Sequence, residues 1–156
     1  MPFEITREDP RTKDVTALLE RHLTFTNGES PPEHVHALDV SGLLDPSVAF
    51  FALRDDGVLL GVGAIKEIEP GHGEIKSMHT AEEARGRGIG SAMLDHLLDT
   101  ARLRGYNRVS LETGTMDGFA AARALYASRG FQNCPPFGKY WENEYSVCMT
   151  LELTPV

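Results

Sequence analysis

The hydrophobic pattern of this chain changes its period between residues 80 and 89. Residues 48–80 contain three apolar runs, separated by the turn sequences DDG at 55–57 and PGHG at 70–73. Such runs predict three antiparallel strands joined by tight turns. The pattern then becomes helical, with apolar residues at Ile89, Met93, Leu94, Leu97 and Leu98. The fold must therefore connect the end of a sheet to the start of a helix within a few residues.

The N-terminal third predicts one strand and two helices. Phe3–Ile5 alternates like a short strand, and the apolar spacing over Lys13–Thr26 is that of a helix. The sequence NGESPP at Asn27–Pro32 predicts a turn, after which Glu33–Leu44 has the apolar spacing of a second helix.

The C-terminal third alternates between strand and helix. Arg108–Glu112 predicts a strand, Asp117 predicts the cap of a helix over residues 118–129, and Tyr145–Leu153 predicts a last strand after a loop at 132–144. A strand, a helix and a further strand in one sheet require a parallel pairing. We therefore expect residues 1–156 to form a single α+β domain with a mixed sheet.

Composition excludes several classes of function. The chain has 23 acidic and 15 basic residues and a formal net charge of −8, which argues against a broad surface for nucleic acids or membranes. Since no signal peptide or spanning helix is evident, we expect a cytoplasmic protein. Cys134 and Cys148 form no CxxC pair, so free thiols and no metal site are expected.

The segment Arg85–Ser91, with the sequence RGRGIGS, joins the predicted sheet to the predicted helix. Glycines allow the backbone to approach an anion closely, and a helix N-terminus presents unpaired N–H groups. Two arginines add positive charge, so a diphosphate suits this segment, although a glycine-rich turn with solvated arginines would have the same spacing. The glycines at 86, 88 and 90 do not form GxGxxG, and no Gly-Lys-Ser/Thr sequence of a nucleotide-binding P-loop is present.

Two motifs resemble those of the GNAT (Gcn5-related N-acetyltransferase) superfamily, and in particular its small bacterial HPA2-like and YsnE-like members. The first is Gln/Arg-x-x-Gly-x-Gly/Ala after a strand, which Arg85, Gly88 and Gly90 match. The second is Ala-x-x-Leu-Tyr with a later Gly-Phe, which is matched by Ala122, Leu125, Tyr126, Gly130 and Phe131. The resemblance implies the GNAT fold, with a mostly antiparallel sheet of six to seven strands and about four helices.

The resemblance also implies acetyl-CoA as cosubstrate and assigns residues to it. The strand end at Met78, His79 and Thr80 would pair with the pantetheine arm, and the Met78 amide would polarise the thioester carbonyl. The diphosphate would be held by the backbone of Arg85, Gly86, Arg87, Gly88, Ile89, Gly90 and Ser91.

The same resemblance suggests the acid and the base. Tyr126 would protonate the leaving CoA thiolate. Glu74 would accept a proton from the amine, because some relatives place a glutamate at this offset before the glycine-rich segment; Glu112 and His79 are the alternatives.

The acceptor is expected to be the primary amine of a small molecule or an amino-acid-like metabolite. Glu33–Leu44 and Phe137–Tyr145 would build its pocket, with Glu112, Phe137, Tyr140 and Trp141 in contact with it. A protein lysine or N-terminus as acceptor, and an acyl-CoA sensor without turnover, remain open. Either a monomer or a homodimer is compatible with the sequence.

Overall fold

A computed structural model describes residues 3–29, 40–138, 140–142 and 144–153 of the chain. Strands and helices alternate in the order that the sequence predicts. The strands are β1 (Phe3–Arg7), β2 (Val48–Asp55), β3 (Val58–Glu69), β4 (His72–Thr80), β5 (Arg108–Gly114), β6 (Gln132–Cys134) and β7 (Ser146–Glu152). The helices are α1 (Lys13–Glu29), α2 (Val40–Leu43), α3 (Ile89–Leu103) and α4 (Ala120–Ser128).

All seven strands belong to one sheet with the order β1-β2-β3-β4-β5-β7-β6. The β4–β5 pair is parallel and the other neighbouring pairs are antiparallel. The parallel pair arises because α3 connects β4 to β5 as a crossover. The predicted α+β class with a mixed, mostly antiparallel sheet is confirmed.

Helix α3 packs closely on β3 because two glycines of that strand leave room for it. A Cβ at Gly61 would lie 2.7 Å from Cγ2 of Ile89, and one at Gly63 would lie 2.7 Å from Cγ of Met93. The buried face of α3, including Leu94 and Leu97, therefore fills the core on this side of the sheet. We call this side the helical face. The opposite side carries the buried apolar residues Val62 and Ala64 on β3, and we call it the polar face after the charged residues that β4 places there.

Strand β4 contains a bulge at its centre. Two of its residues, Ser77 and Met78, lie opposite the single residue Gly63 of β3. Ser77 has a φ of 56°, in the left-handed region that residues other than glycine seldom adopt. A bulge bends its strand and increases the local twist, so the second half of β4 takes a different direction from the first.

The bulge also changes which residues point to each face. Before it, Glu74 and Lys76 point to the polar face. After it, His79 pairs with Val62 and points to the polar face, whereas Thr80 points to the helical face. Accordingly, Oγ1 of Thr80 lies 3.9 Å from the position of a Cβ at Gly90, in the first turn of α3.

Three boundaries differ from the sequence prediction. Helix α1 continues to Glu29, into the predicted turn at 27–32, because a helix keeps its i to i−4 hydrogen bonds through a terminal Asn or Gly. Helix α4 begins at Ala120 and follows a 3₁₀ turn at Asp117–Phe119, so Asp117 is not its cap. Strand β6 lies within the predicted loop 132–144, since three residues are too few to show alternation.

The entry into α4 is held by a side chain instead of a cap. Arg123 donates from Nη1 to the carbonyl oxygens of Gly114 (2.6 Å) and Met116 (3.0 Å).

Of the predicted second helix Glu33–Leu44, residues 33–39 lie outside the described part of the chain. No helix in the described ranges is long and apolar enough to cross a membrane.

Candidate active site

Strands β4 and β5 are paired at one end and separate at the other. Their parallel pairing joins His72–Glu74 to Arg108–Ser110, whereas β4 continues to Thr80 and β5 to Gly114. Beyond Glu74, backbone N–H and C=O groups of β4 face an opening instead of the neighbouring strand. They include the backbone groups of Met78, His79 and Thr80, which are predicted to pair with the pantetheine arm.

The glycine-rich segment follows directly from the open end of β4. Gly86 and Gly88 have φ values of 82° and 79°, and a Cβ at either position would have no heavy atom within 4 Å. Gly88 is the N-cap of α3 and supplies no side-chain cap. The first turn of α3 therefore presents its N–H groups at an exposed glycine turn, which suits an anion such as a diphosphate.

Two details of the predicted diphosphate site need correction. The N–H of Arg85 donates to the carbonyl of Glu82 at 3.3 Å, because a 3₁₀ turn precedes the glycines; it is therefore already bonded. The guanidinium of Arg87 is 3.0 Å from Oδ2 of Asp55 and lies over the ring of Phe3. The carboxylate of Asp55, at the end of β2, thus partly neutralises the positive charge of Arg87.

Glu74 is buried on the polar face, with 4% of its surface exposed. Its Oε2 accepts a hydrogen bond of 2.5 Å from the hydroxyl of Tyr140 and lies 3.1 Å from Nζ of Lys76. Lys76 also donates to the Tyr140 hydroxyl at 3.2 Å. The three side chains form a closed triangle, so Glu74 is an ion-paired carboxylate.

Glu112 is half-buried on β5. It lies two residues after Ser110, the last β5 residue that pairs with β4. Burial is the main cause that raises the pKa of Glu112 to about 7, and the negative charge of Glu74 acts in the same direction. A hydrogen bond from Ser146 and the charge of Lys76 oppose this rise. Glu112 therefore titrates near neutral pH, as an efficient general base does.

Tyr126 lies on α4 and is buried, with 7% of its surface exposed. Its ring packs edge-on against Phe131 at 5.9 Å, and the preceding residue, Leu125, lies 3.3 Å from the position of a Cβ at Gly90. This contact brings α4 to the first turn of α3. Burial raises the pKa of Tyr126 to about 12, so the phenol keeps its proton at neutral pH.

Two of the three aromatic residues that are predicted to contact the acceptor reach the polar face. Phe137 and Tyr140 pack edge-on at 5.2 Å, and Phe137 also lies 5.9 Å from the ring of His72. Tyr140 binds Glu74, and burial together with that charge raises the pKa of Tyr140. Trp141 is 47% exposed. We call residues 135–138 and 140–142 the aromatic loop.

The closed end of the β4–β5 pair carries a chain of hydrogen bonds across three strands. Nε2 of His72 lies 2.7 Å from Oγ of Ser110, which lies 2.9 Å from Oγ1 of Thr150. Ser110 is buried. A surface cavity of about 600 Å³ adjoins this end, with His72 and Arg108 among its lining residues. This end therefore fixes the sheet and is separate from the opening.

Sequence reasoning missed three residues of this region. Lys76 could have been found, because an opposite charge two positions after Glu74 on a strand faces the same side. The bulge at Ser77 has no sequence signal of its own. The position of Cys148 opposite Glu112 follows from the β5–β7 register and could not be read from the sequence.

A profile of the Acetyltransferase (GNAT) family matches residues 13–131. The chain belongs to the GNAT acetyltransferase family. Among its relatives, the N-acetyltransferase YsnE of Bacillus subtilis is 42% identical over 146 residues, covering 94% of this chain and 97% of YsnE. The N-acetyltransferase YedL of Escherichia coli is 41% identical, with 97% and 95% covered. This GNAT protein is therefore an acetyltransferase, and the suspected resemblance to small bacterial members is confirmed.

Solved structures share the fold of this GNAT protein. A Klebsiella pneumoniae protein described as an acyl-CoA N-acyltransferase has a TM-score of 0.83 and 30% identity, with 98% of this chain and 99% of that chain covered. The PaiA N-acetyltransferase of Thermoplasma acidophilum, solved with coenzyme A, has a TM-score of 0.73 at 14% identity, with 98% and 100% covered. The latter likeness concerns the fold alone.

Proposed function

We propose that this protein transfers the acetyl group of acetyl-CoA to the primary amine of a small molecule by direct attack of the amine on the thioester. The opening between β4 and β5 is the observation that carries the proposal. An open strand edge, the glycine turn before α3 and two carboxylates, of which Glu74 is buried and Glu112 is half-buried, border this opening. The relatives named as N-acetyltransferases support the reaction class.

The residues present suit coenzyme A. The N–H groups of residues 86–91 would bind the diphosphate, since helical hydrogen bonding begins only with the N–H of Ala92, which donates to Gly88. The backbone of Met78, His79 and Thr80 would hold the pantetheine arm. Ser77 is buried, and its hydroxyl has no partner within the described part of the chain, so it is a further donor beside this edge.

Acetyl-CoA supplies an activated acyl group, and the chain supplies orientation and proton transfer. The Met78 amide lies within the bulge, where it would donate to the thioester oxygen as negative charge develops there; such a donor is worth roughly 3 kcal/mol. Tyr126 would protonate the departing sulfur. An amine with a pKa near ~10 must first lose a proton, so a base is needed.

We assign this base to Glu112 and give Glu74 a positioning role. Lys76 and Tyr140 both contact Oε2 of Glu74, the first candidate from the sequence, so this oxygen is already occupied before an acceptor amine arrives. Glu112 is less buried, and its pKa of about 7 lies close to the pH at which it would act. The Tyr140–Glu74–Lys76 triangle would hold the aromatic loop beside it.

Turnover of acetyl-CoA across a panel of amines tests the proposal. We expect release of CoA with at least one small primary amine, together with a mass gain of one acetyl group on that amine. Peptides with a free lysine or N-terminus belong in the same panel, because they represent the alternative acceptors. Binding of acetyl-CoA without release of CoA in any reaction would indicate a sensor and would refute catalysis.

A further inference from the structure

The two cysteines, which are 14 positions apart in sequence, are direct neighbours in the sheet. Cys134 of β6 and Cys148 of β7 are Cα partners in the antiparallel ladder, and both are free thiols. Directly opposed residues in such a ladder have Cα atoms about 4.5 or 5.5 Å apart, whereas a disulfide requires about 4.4–6.8 Å. The backbone therefore already has the spacing that a disulfide requires.

The side chains of this pair point to the same face, because directly opposed residues in a ladder share a face. Burial is the main cause that raises the pKa of Cys148 to about 11, and the charge that Cys134 would carry as a thiolate acts in the same direction. The two thiols differ in access: Cys134 is partly exposed and Cys148 is buried.

We propose that Cys134 and Cys148 form a reversible intramolecular disulfide that slows acetyl transfer to the acceptor. Cys134 is the residue that meets the oxidant, since it is partly exposed, and the charge of Arg108 opposes the rise that burial causes in the pKa of its thiol. With hydrogen peroxide, the Cys134 thiolate attacks one oxygen and breaks the O–O bond, which gives a sulfenic acid; the departing hydroxide takes up a proton and leaves as water. The Cys148 sulfur then displaces a second water, so two thiols and one hydrogen peroxide give one disulfide and two waters.

The expected effect on transfer follows from the neighbours of Cys148, and this part rests on the proposed function. Cys148 is the Cα partner of Glu112 on one side and of Cys134 on the other. Its sulfur also accepts the backbone N–H of Phe137. A bond towards β6 draws this sulfur away from Glu112 and fastens the base of the aromatic loop, which lies between the two cysteines. We therefore expect a higher acceptor KM and an unchanged affinity for acetyl-CoA.

Burial raises the pKa of both thiols, so the disulfide should close slowly at neutral pH and faster as the pH rises. Replacing Arg108 with Gln should slow closure, because it removes the charge that favours the Cys134 thiolate. Arg104→Gln is the matched control, since Arg104 is an exposed arginine at the end of α3.

Intact mass and peptide mapping after treatment with hydrogen peroxide test the disulfide directly. The monomer should lose the mass of two hydrogens, yield a linked peptide pair and recover with dithiothreitol. In Cys148→Ser, Cys134 should stop at a sulfenic acid that dimedone traps. Oxygen addition to the wild type without closure, or a disulfide between two chains, would refute the proposal.

Kinetics on the same samples test the effect on transfer. The oxidised wild type should show a severalfold higher acceptor KM that dithiothreitol reverses, and Cys148→Ser should not respond in this way. A disulfide that leaves every kinetic constant unchanged would refute the regulatory role. If the reduced enzyme acetylates no amine, the proposed function fails, and with it the effect on transfer, while the mass measurement still decides whether the disulfide forms.

Discussion

The two ends of the β4–β5 pair are built from the same two strands but differ in what they leave available. At the closed end, three backbone pairs and the His72–Ser110–Thr150 chain satisfy the polar groups. At the open end, the bulge at Ser77 turns β4, and the strand edge and a half-buried Glu112 face the opening. Hydrogen-bonded polar groups at the closed end thus keep β4 and β5 in place. Polar groups at the open end can then remain available to bind ligands.

Tyr126→Phe is the change from which we expect the largest effect, and it acts at the open end. Turnover should fall by roughly 10² or more, because general acid catalysis contributes about 10² to 10⁴. The affinity for acetyl-CoA should hardly change, since the hydroxyl acts when negative charge builds on sulfur. Stopped-flow measurement of the chemical step and calorimetry of acetyl-CoA binding separate the two.

A fall in acetyl-CoA affinity alone would make Tyr126 a contact residue. Unfolding midpoints must accompany these rates, since removing one buried hydroxyl costs about 1 kcal/mol of stability.

Glu112→Gln should lower kcat/KM for the amine by about 10²-fold at pH 8. In the wild type, kcat/KM should rise with pH through a midpoint near 7, because the base works only when it is deprotonated. The variant should lack this limb. A pH–rate profile between pH 5.5 and 9 measures both.

Stability provides the control for Glu112. Its pKa is higher in the folded state than in the unfolded chain, so its contribution to stability declines as pH rises from about 4.5 to about 7. Glu112→Gln should therefore be at least as stable as the wild type at pH 8. An unchanged acidic limb in this variant would return the role of base to Glu74 or another group.

Gly88→Asp should weaken acetyl-CoA binding by at least ~10-fold, since the new carboxylate stands where the diphosphate is expected. Gly105→Asp is the matched control, because Gly105 follows the other end of α3, has a φ of 77° and also has open space around its Cβ position. Both changes impose a similar backbone cost, so calorimetry should show a loss of binding for Gly88→Asp only. Equal effects would mean that helix stability alone is responsible.

The smallest expected effect compares one serine at each end of the strand pair. Ser110→Ala should cost about 1 kcal/mol of unfolding free energy and leave kcat/KM unchanged. Ser146→Ala should instead move the midpoint of the pH–rate profile upwards, because Ser146 favours the ionised form of Glu112. Denaturant unfolding and pH–rate profiles on both variants measure these effects. The comparison would be contradicted if Ser110→Ala moved the midpoint of the pH–rate profile and Ser146→Ala changed only the unfolding free energy.

The sequence predicts those parts of the molecule that depend on local pattern. Alternation and helical spacing locate the meander and α3, and the glycine-rich segment marks the junction where Gly88 caps the helix. Register is different, because it depends on contacts between segments that are far apart in the chain. The Cys134–Cys148 neighbours result from register, and the contact between Tyr140 and Glu74 depends on how the loop after β6 packs against β4.

The choice between Glu74 and Glu112 shows the same limit in chemical terms. Both are acidic residues on predicted strands, and only the resemblance to relatives places Glu74 first. Burial and neighbouring charges support the proposed choice of Glu112: Lys76 pairs with Glu74, while desolvation raises the pKa of Glu112.

The extra residue in β4 makes the length of this strand matter as well as its composition. Because Ser77 and Met78 share the single partner Gly63, deletion of Ser77 would place Met78 opposite Gly63 and leave His79 opposite Val62 and Thr80 opposite Gly61. Each remaining side chain would keep its face, but the bend that the bulge gives β4 would be lost. During divergence of such a chain, loss of this one residue would therefore change the path of the strand edge at the opening, although the other groups of the site would still be present.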